Sequence, residues 1–129
     1  MDVIVKNLLE TWQTISQEII RLNESANDMI KLQKDLAIFP YLLDELMDDP
    51  DESPLAIIAA MKRDQAKLDE QLFNLNTAIE SAHLLFADSP ELTELENLKH
   101  NTEVMRQFLN KIAISEIEES LKNLAGGLL

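Results

Sequence analysis

The sequence contains no cysteine, only 2 glycines and 4 prolines, and an aromatic content of 5%. Without thiols there is no disulfide framework, no thiolate metal site and no cysteine nucleophile. Scarce glycine and proline leave few obligatory turns, and scarce aromatics argue against strands. No apolar run approaches the ~18 residues of a membrane span. The start Met1-Asp2-Val3-Ile4-Val5-Lys6-Asn7 lacks the basic region and continuous apolar stretch of a signal peptide. A soluble, cytoplasmic protein with no membrane insertion is expected. Basic residues are scarce too: 11 against 24 acidic ones leave a net charge of −13. That charge repels phosphate backbones and anionic lipid, so nucleic acid is not expected as a direct partner.

What the chain does have is helix-forming residues. Leu, Ala, Glu, Gln and Lys dominate, and 46% of the 129 residues are hydrophobic, enough for one domain spanning 1–129 with its own core. From Val5 onward, apolar residues recur at steps of three and four: Leu8, Trp12, Ile15, Ile19, Leu22, Ala26 and Met29, then Gln33 and Leu36. This is a heptad seam, interrupted at Gln33. Ile4, Leu9 and Ile30 widen the stripe, as suits a helix with two neighbours. Asp2 is placed to cap the first helix, and Pro40 ends it because proline cannot continue the hydrogen-bond ladder.

Ser53-Pro54 starts the next helix, serine capping free amides and proline taking the first helical position. Its seam runs Ile58, Met61, Gln65, Leu68, Leu72, Leu75, Ile79, Ala82 and Phe86. Asp88-Ser89-Pro90 repeats the punctuation, with Glu91 and Glu94 complementing the positive helix end. The third helix carries Leu95, Leu98, Thr102, Met105, Leu109 and Ile112, but Glu116 falls where the next apolar residue belongs. Ile117, Leu121 and Leu124 continue on a rotated face, and Gly126-Gly127 is the expected C-cap. The expected fold is all-α: an elongated antiparallel up-down-up bundle of three long helices, about 2–37, 54–87 and 90–125, with a short extra turn at 41–47. Helices of about 35 residues would run roughly 50 Å.

Patterns that carry chemistry are thin. Glu80 and His83 match the Glu-x-x-His spacing of di-iron bundles, but the second such pair is missing, since His100 follows Asn97 at that distance. Solvated surface residues are the better explanation of the match. The acidic run Asp48 to Glu52 would need Gly at 53 and Glu at 59 to be an EF-hand loop; the chain has Ser53 and Ala59, and a solvated linker accounts for the run. No nucleophile elbow, phosphate loop or H-E-x-x-H is present. The chain is read as a non-enzyme with no catalytic residue, metal ligand or cofactor. Trp12 and the methionines Met29, Met61 and Met105 read as packing.

Two apolar features exceed what the seams require. Leu36 to Leu43 and Leu55 to Met61 are apolar nearly all round, and the link between them carries Asp44, Glu45, Asp48, Asp49, Asp51 and Glu52 with no basic residue. Either the short turn folds over the start of the second helix, or Phe39, Tyr41, Leu42, Leu43, Leu46 and Ile57 form an acid-rimmed groove for a basic amphipathic helix. Val104 and Phe108, four apart and off the seam of the third helix, mark a second contact face, for a second copy or another protein. In size, charge and helicity the chain broadly resembles small acidic helical chaperones of bacterial secretion and flagellar export, a likeness of class that no motif carries. The expected function is a protein interaction module: an adaptor, small chaperone or assembly subunit. The alternatives are an obligate coiled-coil subunit of a larger complex or homo-oligomer, and a metal- or small-molecule-binding bundle.

Overall fold

The computed structural model describes residues 2–39, 41, 42, 45 and 53–128. The described residues form a helical bundle without strands: α1 (Val3–Ile38), α2 (Pro54–Leu85), α3 (Leu92–Asn110) and α4 (Ile114–Leu128). Two of the expected start signals act as the residue chemistry requires. The Asp2 carboxylate accepts a hydrogen bond from the Ile4 amide at 2.8 Å, and the Ser53 hydroxyl accepts one from Ala56 at 3.2 Å, each satisfying an amide that has no partner within its helix. Pro54 is fully buried at the first position of α2. Tyr41 and Leu42 are helical, with the Leu42 amide donating to the Phe39 carbonyl at 3.0 Å. Most of the expected 41–47 turn lies outside the described residues.

The chain divides into two compact units, Met1–Ile20 with Ala66–Lys111 and Arg21–Gln65 with Ile112–Leu129. In the first, Val5, Ile15, Ile19, Leu68, Leu72, Leu75, Ile79, Ala82, Leu95, Leu98 and Leu109 are buried. Val5, Ala82 and Leu95 form one cluster, with Leu8 and Phe86 packed against it. In the second, Leu22, Ala26, Met29, Leu36, Ile58, Met61, Ile112, Ile114, Ile117 and Leu121 are buried. The seams predict nearly all of these positions, and each large side chain so buried contributes roughly 1.5–3 kcal/mol. Thr102 sits in the interior because its hydroxyl donates to the Leu98 carbonyl at 2.7 Å, which satisfies the one polar group it brings. Ile4 departs from the widened stripe and is exposed.

The expected single third helix is two helices. Its start moves from Ser89-Pro90 to Leu92 because the Ser89 hydroxyl donates to the Glu91 carboxylate and accepts from the Glu91 amide, rather than capping deeper in the helix. Ser89 and Leu92 donate to the Phe86 and Ser89 carbonyls at 3.0 and 3.1 Å, a tight connection that ends α2 at Leu85, short of Ala87. At the other end α3 closes on the Lys111 amide, shared between the Gln107 and Phe108 carbonyls at 3.2 and 3.1 Å, and α4 begins at Ile114. In an unbroken helix Ile112 and Ile114 would point about 200° apart, so only one could be buried. Breaking the helix buries both, and Glu116 stays exposed. The glycine stop is also displaced: α4 continues through Gly126 and Gly127 to Leu128, and no described glycine has positive φ.

The break leaves the Ile112 carbonyl outside any helix ladder. It accepts from the Ile114 amide at 2.9 Å and from the Gln65 side-chain amide at 3.2 Å. Gln65, a polar residue on the α2 seam, is thereby explained: it meets a backbone group that an aliphatic side chain would leave short of a partner. Gln65→Leu is expected to lower stability by about 1–2 kcal/mol, read by urea denaturation, despite adding apolar surface. An unchanged or raised midpoint would show that the amide carries no stability.

Candidate functional site

The residues singled out for partner binding separate between the two units. Phe39, Tyr41, Leu42 and Ile57 belong to the second. Phe39 and Tyr41, 46% and 63% exposed, pack edge to face with ring centroids 6.1 Å apart and planes at 68°. Ile57 and Ile38 are exposed as well, Leu42 is half-buried, and Leu43 and Leu46 lie outside the described residues. The stretch that is apolar all round therefore splits: Leu36, Ile58 and Met61 are core, whereas Ile38, Phe39, Tyr41 and Ile57 face out. Val104 and Phe108 belong to the first unit and stand 48% and 36% exposed on α3, off the buried row of Leu98, Thr102 and Leu109.

Other apolar side chains beyond the candidate surfaces are exposed as well: Val3, Ile20, Phe73, Leu84 and Leu85. Their signal was available, since each falls off a seam whose buried members were identified. Phe73 follows Leu72, and Leu84 and Leu85 fall between the seam residues Ala82 and Phe86.

Several charged groups on the helices are engaged in local pairs. Glu80 lies 3.7 Å from Lys99 and accepts from the Asn76 amide at 3.5 Å, and half-buried His83 lies 3.8 Å from Glu96. Arg106 Nε lies 3.6 Å from Asp69. No group of three His, Asp or Glu side chains among the described residues is placed to hold a metal ion, and the acidic run Asp48 to Glu52 lies outside them. No described helix is long and apolar enough to cross a membrane. Trp12 is half-buried, with its indole N–H buried and lacking a hydrogen-bond partner among the described residues.

No family model, curated protein or solved structure matches this chain.

In the second unit Lys62 reaches Glu118 at 3.1 Å, and Lys122, one turn along α4, reaches the same oxygen at 3.4 Å. The hydrogen bond from Lys62, joined by the charge of Lys122, holds the Glu118 carboxyl below its ordinary value of 4.5. A carboxyl that binds its proton less readily when folded adds stability above its unfolded pKa and loses it as pH falls through the folded value. Lys62→Met should therefore lower the thermal midpoint at neutral pH, and the difference from wild type should shrink as the pH is lowered below 4.5 and through the depressed folded value. A difference unaltered by pH would assign the loss to the lysine's aliphatic stem instead.

Proposed function

We propose that this chain is a non-enzymatic interaction module, an adaptor, small acidic chaperone or assembly subunit of the cytoplasm that holds a partner protein through apolar helix faces. The observation that carries this reading is the exposure of large apolar side chains on helices whose inward seams are already filled. Phe39, Tyr41 and Ile57 in one unit and Val104 and Phe108 in the other contribute little to the cores, and exposed apolar patches are a common mark of association surfaces. Aromatic side chains bury large area at small conformational cost, which suits Phe39, Tyr41 and Phe108 to anchoring roles. The acidic link that follows Tyr41 favours a partner segment carrying lysine or arginine.

An antiparallel up-down-up order of the helices belongs to the same reading. It is supported by ion pairs whose partners descend on α2, His83, Glu80 and Asp69, as they ascend on α3, Glu96, Lys99 and Arg106. An obligate coiled-coil subunit would leave its seams unfilled when alone, and the buried rows in both units speak against it.

Two measurements test the proposal. The isolated chain should melt cooperatively at a temperature that does not move with protein concentration; a midpoint rising with concentration favours the obligate assembly. The double variant Tyr41→Asp with Ile57→Asp should keep the helical circular dichroism of the wild type while losing, by about tenfold or more, affinity for the protein co-purified from native extracts. Collapse of the helical signal would place these side chains in the core and remove them as a binding surface.

A further inference from the structure

Val104 and Phe108 belong to a longer stripe on α3. Glu94, Asn97, Asn101, Val104, Phe108 and Lys111 step by three and four, so they share one helix face about 25 Å long. Lys111 caps α3 with helical φ and ψ, −87° and −8°, and so keeps the register. All six residues are exposed. An acid opens the stripe, a base closes it, and the residues between carry no charge. Neither Glu94 nor Lys111 is ion-paired among the described residues.

A groove of about 230 Å³ sets the start of this stripe beside α1 in the first unit, with Leu9 on one side and Glu94, Asn97 and Asn101 on the other. In the up-down-up order proposed above, the two helices run parallel from the shared cluster of Val5 and Leu95. From Leu9 the adjoining flank of α1 repeats the steps of four and three through Gln13 and Ser16 to Ile20, which is exposed, again without charge. Other charges of these helices point away from this face: Glu96, Lys99 and Arg106 reach partners on α2, and Glu10 and Glu18 border the α1–α2 side.

Charge and register together select the occupant. In a chain of net charge −13, an uncharged face is where a second copy approaches at least cost. The stripe is also its own complement. Turned about a two-fold axis across the helices, Glu94 of each copy meets Lys111 of the other. The same register brings Phe108 of each copy onto Asn97 of the other, at the groove beside Leu9, while Val104 adjoins its own counterpart at the axis.

We propose that the α1–α3 face of the first unit joins two copies of this chain in a reversible antiparallel dimer. Phe108 of each copy enters the groove of the other, and the two Glu94–Lys111 pairs bracket the contact. The face offers about ten side chains, against roughly 20–30 a side in a stable interface, so at micromolar concentrations the chain is a folded monomer. The assignment rests on the interaction-module reading: it gives the Val104 and Phe108 face to a second copy and leaves Phe39, Tyr41 and Ile57 to a different protein.

The test is sedimentation equilibrium of the full-length protein from about 10 μM to about 1 mM, where monomer should give way to dimer. Glu94→Lys and Lys111→Glu should each raise the dissociation constant by about tenfold, because each sets like charges together at both ends. Both exchanges in one chain should return it to within about twofold of wild type. The double exchange keeps the net charge of −13, so its recovery reads the register rather than the overall charge. Phe108→Ala, with helical circular dichroism unchanged, should weaken the dimer by about tenfold. A monomer over the whole range overturns the proposal, as does a double exchange no tighter than the single ones. Should Phe108→Ala unfold the chain, the charge variants still decide. If the wild type stays monomeric and Phe108→Ala instead abolishes binding of the protein co-purified from native extracts, the face belongs to a different protein; the dimer falls and the interaction module stands. The two readings fail separately, because Tyr41→Asp with Ile57→Asp alters only the second unit.

Discussion

A helix can bury only one stripe of its surface, and the arrangement of this chain follows from that constraint. α1 and α2 each keep a row of apolar residues in one phase over their whole length, so each remains a single helix. The third stretch cannot. Ile112 and Ile114 both belong inside, and a continuous helix would place them on nearly opposite sides. Interrupting the helix for Lys111 to Ala113 resolves the conflict, and neither glycine nor proline is present there to force it. The carbonyl set free is not abandoned, because Gln65 brings a side-chain donor to it.

Polar residues at inward positions follow one rule throughout. Thr102 and Ser16 return their hydroxyls to the preceding turn at 2.7 Å, Gln65 serves the break, and Ser53 caps α2 from a buried position. The Trp12 indole N–H departs from the rule, as does Asp69 Oδ1, a buried oxygen with no hydrogen bond among the described residues and with Arg106 Nε 3.6 Å away. Charged residues remain on the helix surfaces, where their ion pairs are solvent-screened and individually weak. Stability therefore rests on the apolar rows. On the surface, the exposed aromatic and aliphatic side chains contribute little to holding the helices together.

Much of the fold was legible in the residues alone, because heptad spacing and capping are local signals. Asp2 and Ser53 cap the helices they were expected to cap, and nearly every buried position of α1 and α2 lies on the row read from the sequence. Ser89 misled because its hydroxyl had a competing partner two residues away, a choice that the Ser-Pro spacing does not encode. Gly126 and Gly127 misled because glycine permits a left-handed cap without requiring one. For the candidate surfaces, Val104 and Phe108 could be recognised as off-seam. The groove beside Leu9 and Asn101 could not, since it is a relation between two helices distant in sequence.

By itself the sequence determined that this protein is helical, where two of its helices start, and which side of α1 and α2 turns inward, because each depends on neighbours within a turn or two. The tertiary structure alone decided that Ile112 and Ile114 share an interior at the expense of a helix, and that Gln65 answers the carbonyl so exposed. It also decided which part of the stretch apolar on all sides is core and which faces out. Those outcomes turn on competition between groups that meet only after folding, and spacing along the chain does not record which of them wins.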